Sequence, residues 1–323
     1  MSESGDYVEQ HWDTSRDFRT VRENYRRKAG SSMQQAVKEA KVLTDLVPNE
    51  LVSKAARSLV LVFDETGSMG EAPKVLAEKW VYGQHEIHDA YIGAKGDIAI
   101  CAVGDEFSDN YYLQVQTFRR GKGTEKSFEA MVYEGNGGGG CHESYGLPAL
   151  YLARRASFPN AVRKPICIFF ADEKPHQTVS VDGARSVRVD IRSSKTVQEV
   201  FRELRKSFEV YIVMRPYYSG GLDDTTNREI FRIWSELVGG DDRIGYLAQD
   251  GRVMDIIFGV LAKEFDKIDY FYKELEGRPQ TPAQCEQVRR ACRFLHADYF
   301  AEQEVSDSRK RKAKKPTKGL LDD

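Results

Sequence analysis

Leu59-Val60-Leu61-Val62-Phe63-Asp64-Glu65-Thr66-Gly67-Ser68-Met69-Gly70 is the stretch on which the reading of this chain turns. An unbroken apolar run delivers an acid to its end, and two hydroxyls follow at alternating positions. A short continuous run of this kind is the pattern of a strand buried on both faces of a parallel sheet. Gly67 lets the chain turn at once, so Asp64, Thr66 and Ser68 are able to present oxygens at one place beyond the strand's carboxyl end. Open α/β sheets bind their ligands there. Hard oxygen donors suit Mg²⁺, with Mn²⁺ or Ca²⁺ as substitutes, and Mg²⁺ asks for octahedral geometry at roughly 2.0–2.1 Å.

Asp64-x-Thr66-x-Ser68 followed by Met69-Gly70 resembles the first motif of the von Willebrand factor type A domain, its metal-ion-dependent adhesion site. The family's usual pattern has Ser where Thr66 stands, and the exchange keeps the hydroxyl. A second apolar run, Pro165 to Ala171, ends in Asp172 and continues Glu173-Lys174-Pro175-His176. The resemblance implies that Asp172 is the last aspartate of the metal site. Between these motifs a glycine-rich segment leads through Cys141-His142-Glu143-Ser144-Tyr145 into the helical pattern Leu147 to Arg155. The family places its middle motif at such a loop, usually as a Thr or as an Asp followed by Pro-Glu. Neither is present, so Glu143 or Ser144 is expected to take that role, directly or through water.

The resemblance covers about 58 to 265, two-thirds of the chain. It implies a doubly wound, mostly parallel α/β sheet with one antiparallel edge strand. It also implies a function: an open coordination position on the ion accepts a partner's Asp or Glu. Intracellular members serve as assembly or regulatory subunits beside AAA+ ATPases and other complexes. Two other readings stand beside this one. In the first, the chain is a structural component whose metal site is vestigial. In the second, it is a Mg²⁺-dependent enzyme, because haloacid-dehalogenase-type phosphatases also begin with an apolar strand ending in Asp. Those enzymes carry a second Asp where this chain has Thr66, so catalysis is not expected.

Composition sets the outer bounds. The chain has 323 residues, 41% of them hydrophobic and 30% charged, with a formal net charge of −2. It is large enough to bury a substantial core, and its overall charge makes no case for nucleic acid or a membrane surface. Five cysteines without close paired spacing read as reduced thiols, so a cytoplasmic setting is expected. No apolar run approaches the roughly 20 residues of a membrane span, and the first residues lack a signal-peptide profile.

Along the chain, residues 1–55 read as a flexible start and a helical arm, and 56–265 as the main domain. Residues 266–302 read as a helical extension and 303–323 as a basic, disordered tail with a weak claim on nucleic acid. Predicted strands fall at 59–64, 97–104, 111–118, 165–171, 208–214 and 243–248. Predicted helices fall at 73–92, 124–133, 144–156, 196–206, 225–238 and 250–265. Asp105 reads first as a turn residue and second as a rim acceptor, and His176 as a rim contact. His85-Glu86-Ile87-His88 misses the i, i+4 spacing of a zinc helix and reads as surface or packing.

Overall fold

The computed structural model describes residues 31–39, 41–134 and 142–313. The run at 59–63 forms, with its flanks, the central strand β1 (Ser58–Asp64). The strands after it include β2 (Asp97–Val103), the edge strand β3 (Leu113–Val115), a short β4 (His142–Glu143), β5 (Ile166–Ala171), a short β6 (Lys174–Pro175), β7 (Glu209–Met214) and β8 (Ile244–Tyr246). The six long members make one sheet in the order β8-β7-β5-β1-β2-β3. All its pairings are parallel except β2 with β3, which is antiparallel. The architecture is therefore the mostly parallel α/β sheet with one antiparallel edge that the strand pattern predicts. The edge strand is shorter than the predicted 111–118, because only Leu113–Val115 pairs with Cys101–Val103.

Helices cover both faces: α1 (Ala72–Glu86), α2 (Glu125–Glu129), α3 (Gly146–Arg155), α4 (Val197–Ser207), α5 (Thr225–Val238) and α6 (Val253–Glu264). Three more follow: α7 (Ile268–Gly277), α8 (Pro282–Ala291) and α9 (Ala297–Ala313). Local sequence dictates several of the ends. Thr196 and Glu199 form a reciprocal capping box at the start of α4. Asp224 accepts the amides of Thr226 and Asn227 to start α5, and Gly239 at φ 103° ends it.

Because side chains alternate along a strand, β1 feeds two cores. Leu59, Leu61 and Phe63 pack with Leu76 and Trp80 of α1 and with Ile256, Ile257 and Phe258 of α6. Val60 and Val62 pack on the other side with Leu150 of α3, Phe201 of α4 and Trp234 of α5. The helices past residue 265, read from sequence as an extension, add Phe271, Tyr272, Leu275, Val288, Cys292 and Leu295 to the first of these cores. Helix α9 runs to Ala313, into the stretch expected to be an unstructured tail. No Gly or Pro interrupts Ala297–Ala313. The rest of the basic block from 314, the first 30 residues and the glycine run through Cys141 lie outside the described residues.

The chain leaves β1 towards β2 on one side, while β5 lies against β1 on the other. This reversal opens a crevice beyond the carboxyl ends of β1 and β5. Asp64 and Asp172 both lie there.

Candidate functional site

The turn after β1 is held by its own aspartate. Asp64 Oδ1 accepts the Thr66 amide at 2.7 Å and the Thr66 hydroxyl at 2.5 Å. Thr66 Oγ1 lies 3.1 Å from Ser68 Oγ, which donates to Asp172 Oδ1 at 3.2 Å. These contacts bring Asp64, Thr66, Ser68 and Asp172 together across the crevice, with the two hydroxyl protons going to the two aspartates. Asp64 Oδ2 accepts the Tyr145 hydroxyl from the start of α3. Asp64 and Asp172 are fully buried.

The loop before α3 is drawn in by backbone pairing. β4 and β6 run parallel, with His142 opposite Lys174 and Glu143 opposite Pro175. The His176 amide then donates to Glu143 O at 3.0 Å. Glu143 is buried and feels the charge of Asp64, yet its Oε2 has no hydrogen-bond partner. Ser144 is committed elsewhere. Its hydroxyl accepts the Glu106 amide at 2.9 Å and donates to Asp105 Oδ1 at 3.2 Å. The structure therefore gathers Asp64, Thr66, Ser68 and Asp172, sets Glu143 beside them, and turns Ser144 towards the next loop.

Glu173, Trp234, Arg215 and Asn227 take part without a signal of their own in the sequence. Glu173 is buried next to Asp172. The Glu173 carbonyl accepts Trp234 Nε1 at 2.9 Å, and the Trp234 ring meets Tyr145 edge-on with centroids 5.2 Å apart. This indole props both loops from below. Arg215, just past β7, reaches over the crevice. Its guanidinium bonds Asp250 at 2.9 Å and Ser68 O at 3.2 Å, and lies 3.9 Å from Asp172 Oδ2. The loop behind it is fixed by buried Asn227, whose amide bonds the backbone of Tyr217, Tyr218 and Gly221. Asp105 is a rim acceptor after all: it takes His176 Nε2 at 2.8 Å as well as Ser144. His142 stacks on His176 with centroids 5.9 Å apart, and exposed Phe107 meets His176 edge-on at 4.9 Å. His88 is a packing residue, bonded to Gly93 O and the Gly121 amide at 3.1 Å each.

The electrostatics are those of crowded, dehydrated acids. Burial, followed by the charges of neighbouring carboxylates, raises Asp172 and Glu143 far above the ordinary carboxylate range. Burial also raises Asp64, against the opposing hydrogen bonds of Thr66 and Tyr145. Glu173 is pushed up to about 7 by burial and then by Asp64. Asp172 Oδ2, Glu143 Oε2 and Glu173 Oε2 are buried without a hydrogen-bond partner. Such groups are costly unless a cation or a proton answers them.

Does this set fit a divalent cation? Among the described residues, no three His, Cys, Asp or Glu side chains are placed to hold a metal between them. That leaves no cluster of three such side chains there, carboxylates included, and any site has to draw on the two hydroxyls together with fewer than three acids. Thr66 and Ser68 turn their protons towards Asp64 and Asp172, which frees hydroxyl lone pairs to act as ligands. The hydroxyls of Thr66 and Ser68 with the carboxylates of Asp64 and Asp172, the latter with one orphaned oxygen, are a donor set of the kind a hard cation takes. The residues fit the ion.

No protein-family model matches the sequence, and no curated protein does. Among solved structures, the chain is similar to the pilus adhesin SpaC from Lactobacillus rhamnosus GG. The TM-score is 0.48 at 11% identity, covering 68% of this chain and 32% of the adhesin. It is also similar to proximal thread matrix protein 1 from the mussel byssus, solved with a zinc-occupied MIDAS motif. There the TM-score is 0.43 at 12% identity, covering 66% of this chain and 48% of that one. The chain spans about a third of the adhesin's length. These likenesses are too distant to carry a function. The site's own chemistry has to carry it.

Proposed function

We propose that this protein is a non-catalytic binding module that docks a partner's Asp or Glu side chain at a Mg²⁺ site held by Asp64, Thr66, Ser68 and Asp172. The observation that carries the reading is the close run of hydroxyl and carboxylate oxygens across the crevice, beside three buried carboxylate oxygens with no hydrogen-bond partner. The ion, when bound, would supply the positive charge those oxygens lack and an open position for the incoming carboxylate. Thr66 and Ser68 would hold it through their hydroxyls, Asp64 and Asp172 through charge, and Glu143 from the rim.

The chain's own residues do the rest. Tyr145 and Thr66 fix the Asp64 carboxylate from both oxygens. Those bonds leave it oriented as a ligand and poorly placed as a nucleophile, which supports binding over phosphoryl transfer. Arg215 sets a second positive charge at the mouth of the crevice. Phe107, 74% exposed beside His176, offers an apolar contact next to the charged one, and the two together suit a peptide with an acid flanked by an apolar side chain. On this reading the protein is a subunit of a larger assembly, an AAA+ ATPase being one class of partner, in a reducing cytoplasm where Cys101, Cys167 and Cys292 stay as buried thiols.

The test is a pull-down with tagged full-length protein in Mg²⁺ or in excess chelator, with Ser68→Ala and Asp172→Asn as controls. Partners should be lost with chelator and with both variants. Equal recovery in all four samples would end the proposal.

A further inference from the structure

The pole of the sheet opposite the crevice holds a cavity of about 530 Å³, where β5, β7 and β8 begin and α4 and α5 end. Lys164, Arg202, Arg205, Lys206 and Arg243 line it, with Glu209 the one carboxylate among its lining residues.

Cations near helix carboxyl ends need no ligand to explain them, since each end carries roughly −0.5 charge. Two helix ends and Glu209 together amount to about −2 on that scale. Two of the five cations are visibly spent on this. Lys164 Nζ bonds Arg205 O at 3.0 Å and lies 3.8 Å from Glu209. Arg243 bonds Glu209 at 2.6 Å and stacks over the Tyr211 ring. Arg202, Arg205 and Lys206 remain, and among the described residues none of the three makes an ion pair. Arg205 Nε is shielded from solvent with no hydrogen-bond partner.

The wall is shaped for that guanidinium. A Cβ on Gly239 would fall 2.2 Å from Arg205 Nη1, so only the absent side chain lets the arginine lie across the end of α5. Gly239 also sits at φ 103°, a conformation other residues rarely take. Phe208, Val210 and Val238 supply apolar lining.

We propose that this cavity binds a small anion carrying two linked phosphates. A phosphoryl group carries about −1.5 to −2 charge, so two of them answer three unspent cations. Arginine forks bind phosphate oxygens in pairs, and the volume lies within the range of small-molecule sites, roughly 300–1,000 Å³. The site is independent of the crevice and does not rest on the metal.

Calorimetric titration of the full chain tests it, with inorganic pyrophosphate, orthophosphate and adenosine diphosphate as probes. Pyrophosphate should bind at one site, at least about tenfold more tightly than orthophosphate. Exposed Arg202 and Lys206 are the gentlest place to perturb, and Arg202→Gln with Lys206→Gln should weaken pyrophosphate about tenfold or more while the melting curve stays put. Arg205→Lys, which keeps the charge and loses the fork, should weaken it too. Asp172→Asn should leave it unchanged. Tighter binding of the nucleotide than of pyrophosphate would assign the ligand to the nucleoside diphosphates, and equal binding to the diphosphate group alone. Pyrophosphate binding no better than orthophosphate, or unaltered in the Arg202/Lys206 double variant, would overturn the proposal.

Discussion

Asp172→Asn separates a metal site from a merely crowded turn, because the two predict opposite effects in one molecule. Asp172 is fully buried, its Oδ2 has no hydrogen-bond partner, and the Arg215 guanidinium stands off at 3.9 Å. Without a cation, this carboxylate faces Asp64 and Glu173 in a dehydrated crevice. Asparagine keeps the acceptor for Ser68 Oγ and offers two N–H donors to the surrounding acids. An unsatisfied buried polar group costs about 1–3 kcal/mol, and more when charged. The variant should therefore be more stable than wild type in chelator by about that amount, raising Tm by a few degrees. Excess Mg²⁺ reverses the order. A ligand at 100 times its Kd stabilises by about 2.7 kcal/mol, which wild type should gain and the variant should not. Thermal melts of both proteins in chelator and over a Mg²⁺ series read all four numbers. A variant less stable than wild type in chelator, or one stabilised by Mg²⁺ as much as wild type, would refute the reasoning. Asp64→Ala is the poorer probe, because Asp64 accepts from Tyr145 and twice from Thr66 and its loss strands those donors.

Tyr145→Phe should lower stability by about 1–3 kcal/mol by leaving Asp64 Oδ2 without its donor, and should weaken Mg²⁺ binding; a urea melt and a Mg²⁺ titration check both. Cutting the chain after residue 265 should leave a fragment that does not fold. Phe271, Tyr272, Leu275, Val288 and Leu295 come from the shared core, and at about 1.5–3 kcal/mol per buried large side chain their loss rivals the whole stability of a domain; circular dichroism and limited proteolysis report the outcome. His296 should make the protein acid-sensitive. It is buried between Gly259 O at 2.9 Å and the Tyr272 hydroxyl at 2.8 Å, and burial lowers its pKa from 6.5 to about 4. The unfolded chain then binds the extra proton first, so stability is full above about 6.5 and falls as pH drops towards 4, by up to ~3 kcal/mol. Urea midpoints at pH 7 and 4.5 should differ by more in wild type than in His296→Gln.

The local parts of this molecule were legible in its residues. The apolar run at 59–63 had to be a buried strand, and Asp64, Thr66 and Ser68 meet because they are neighbours on one turn. Asp172 could be named because a second strand of the same kind ends at it. The structure's helix ends at Thr196 and Gly239 are of the same local kind, since each is set by a few consecutive residues. What the tertiary structure decided were the meetings across the chain. Strand order puts β5 against β1, and so Asp172 against Ser68, 104 residues away. Packing of α5 brings Trp234 under Glu173, and the end of β7 brings Arg215 over Ser68. Ser144 turned to Asp105 because the loop after β2 lies beside it, a neighbourhood no spacing reveals. The helices after 265 read as an appendage because amphipathic periodicity shows that a face must be buried, while only the fold shows against what.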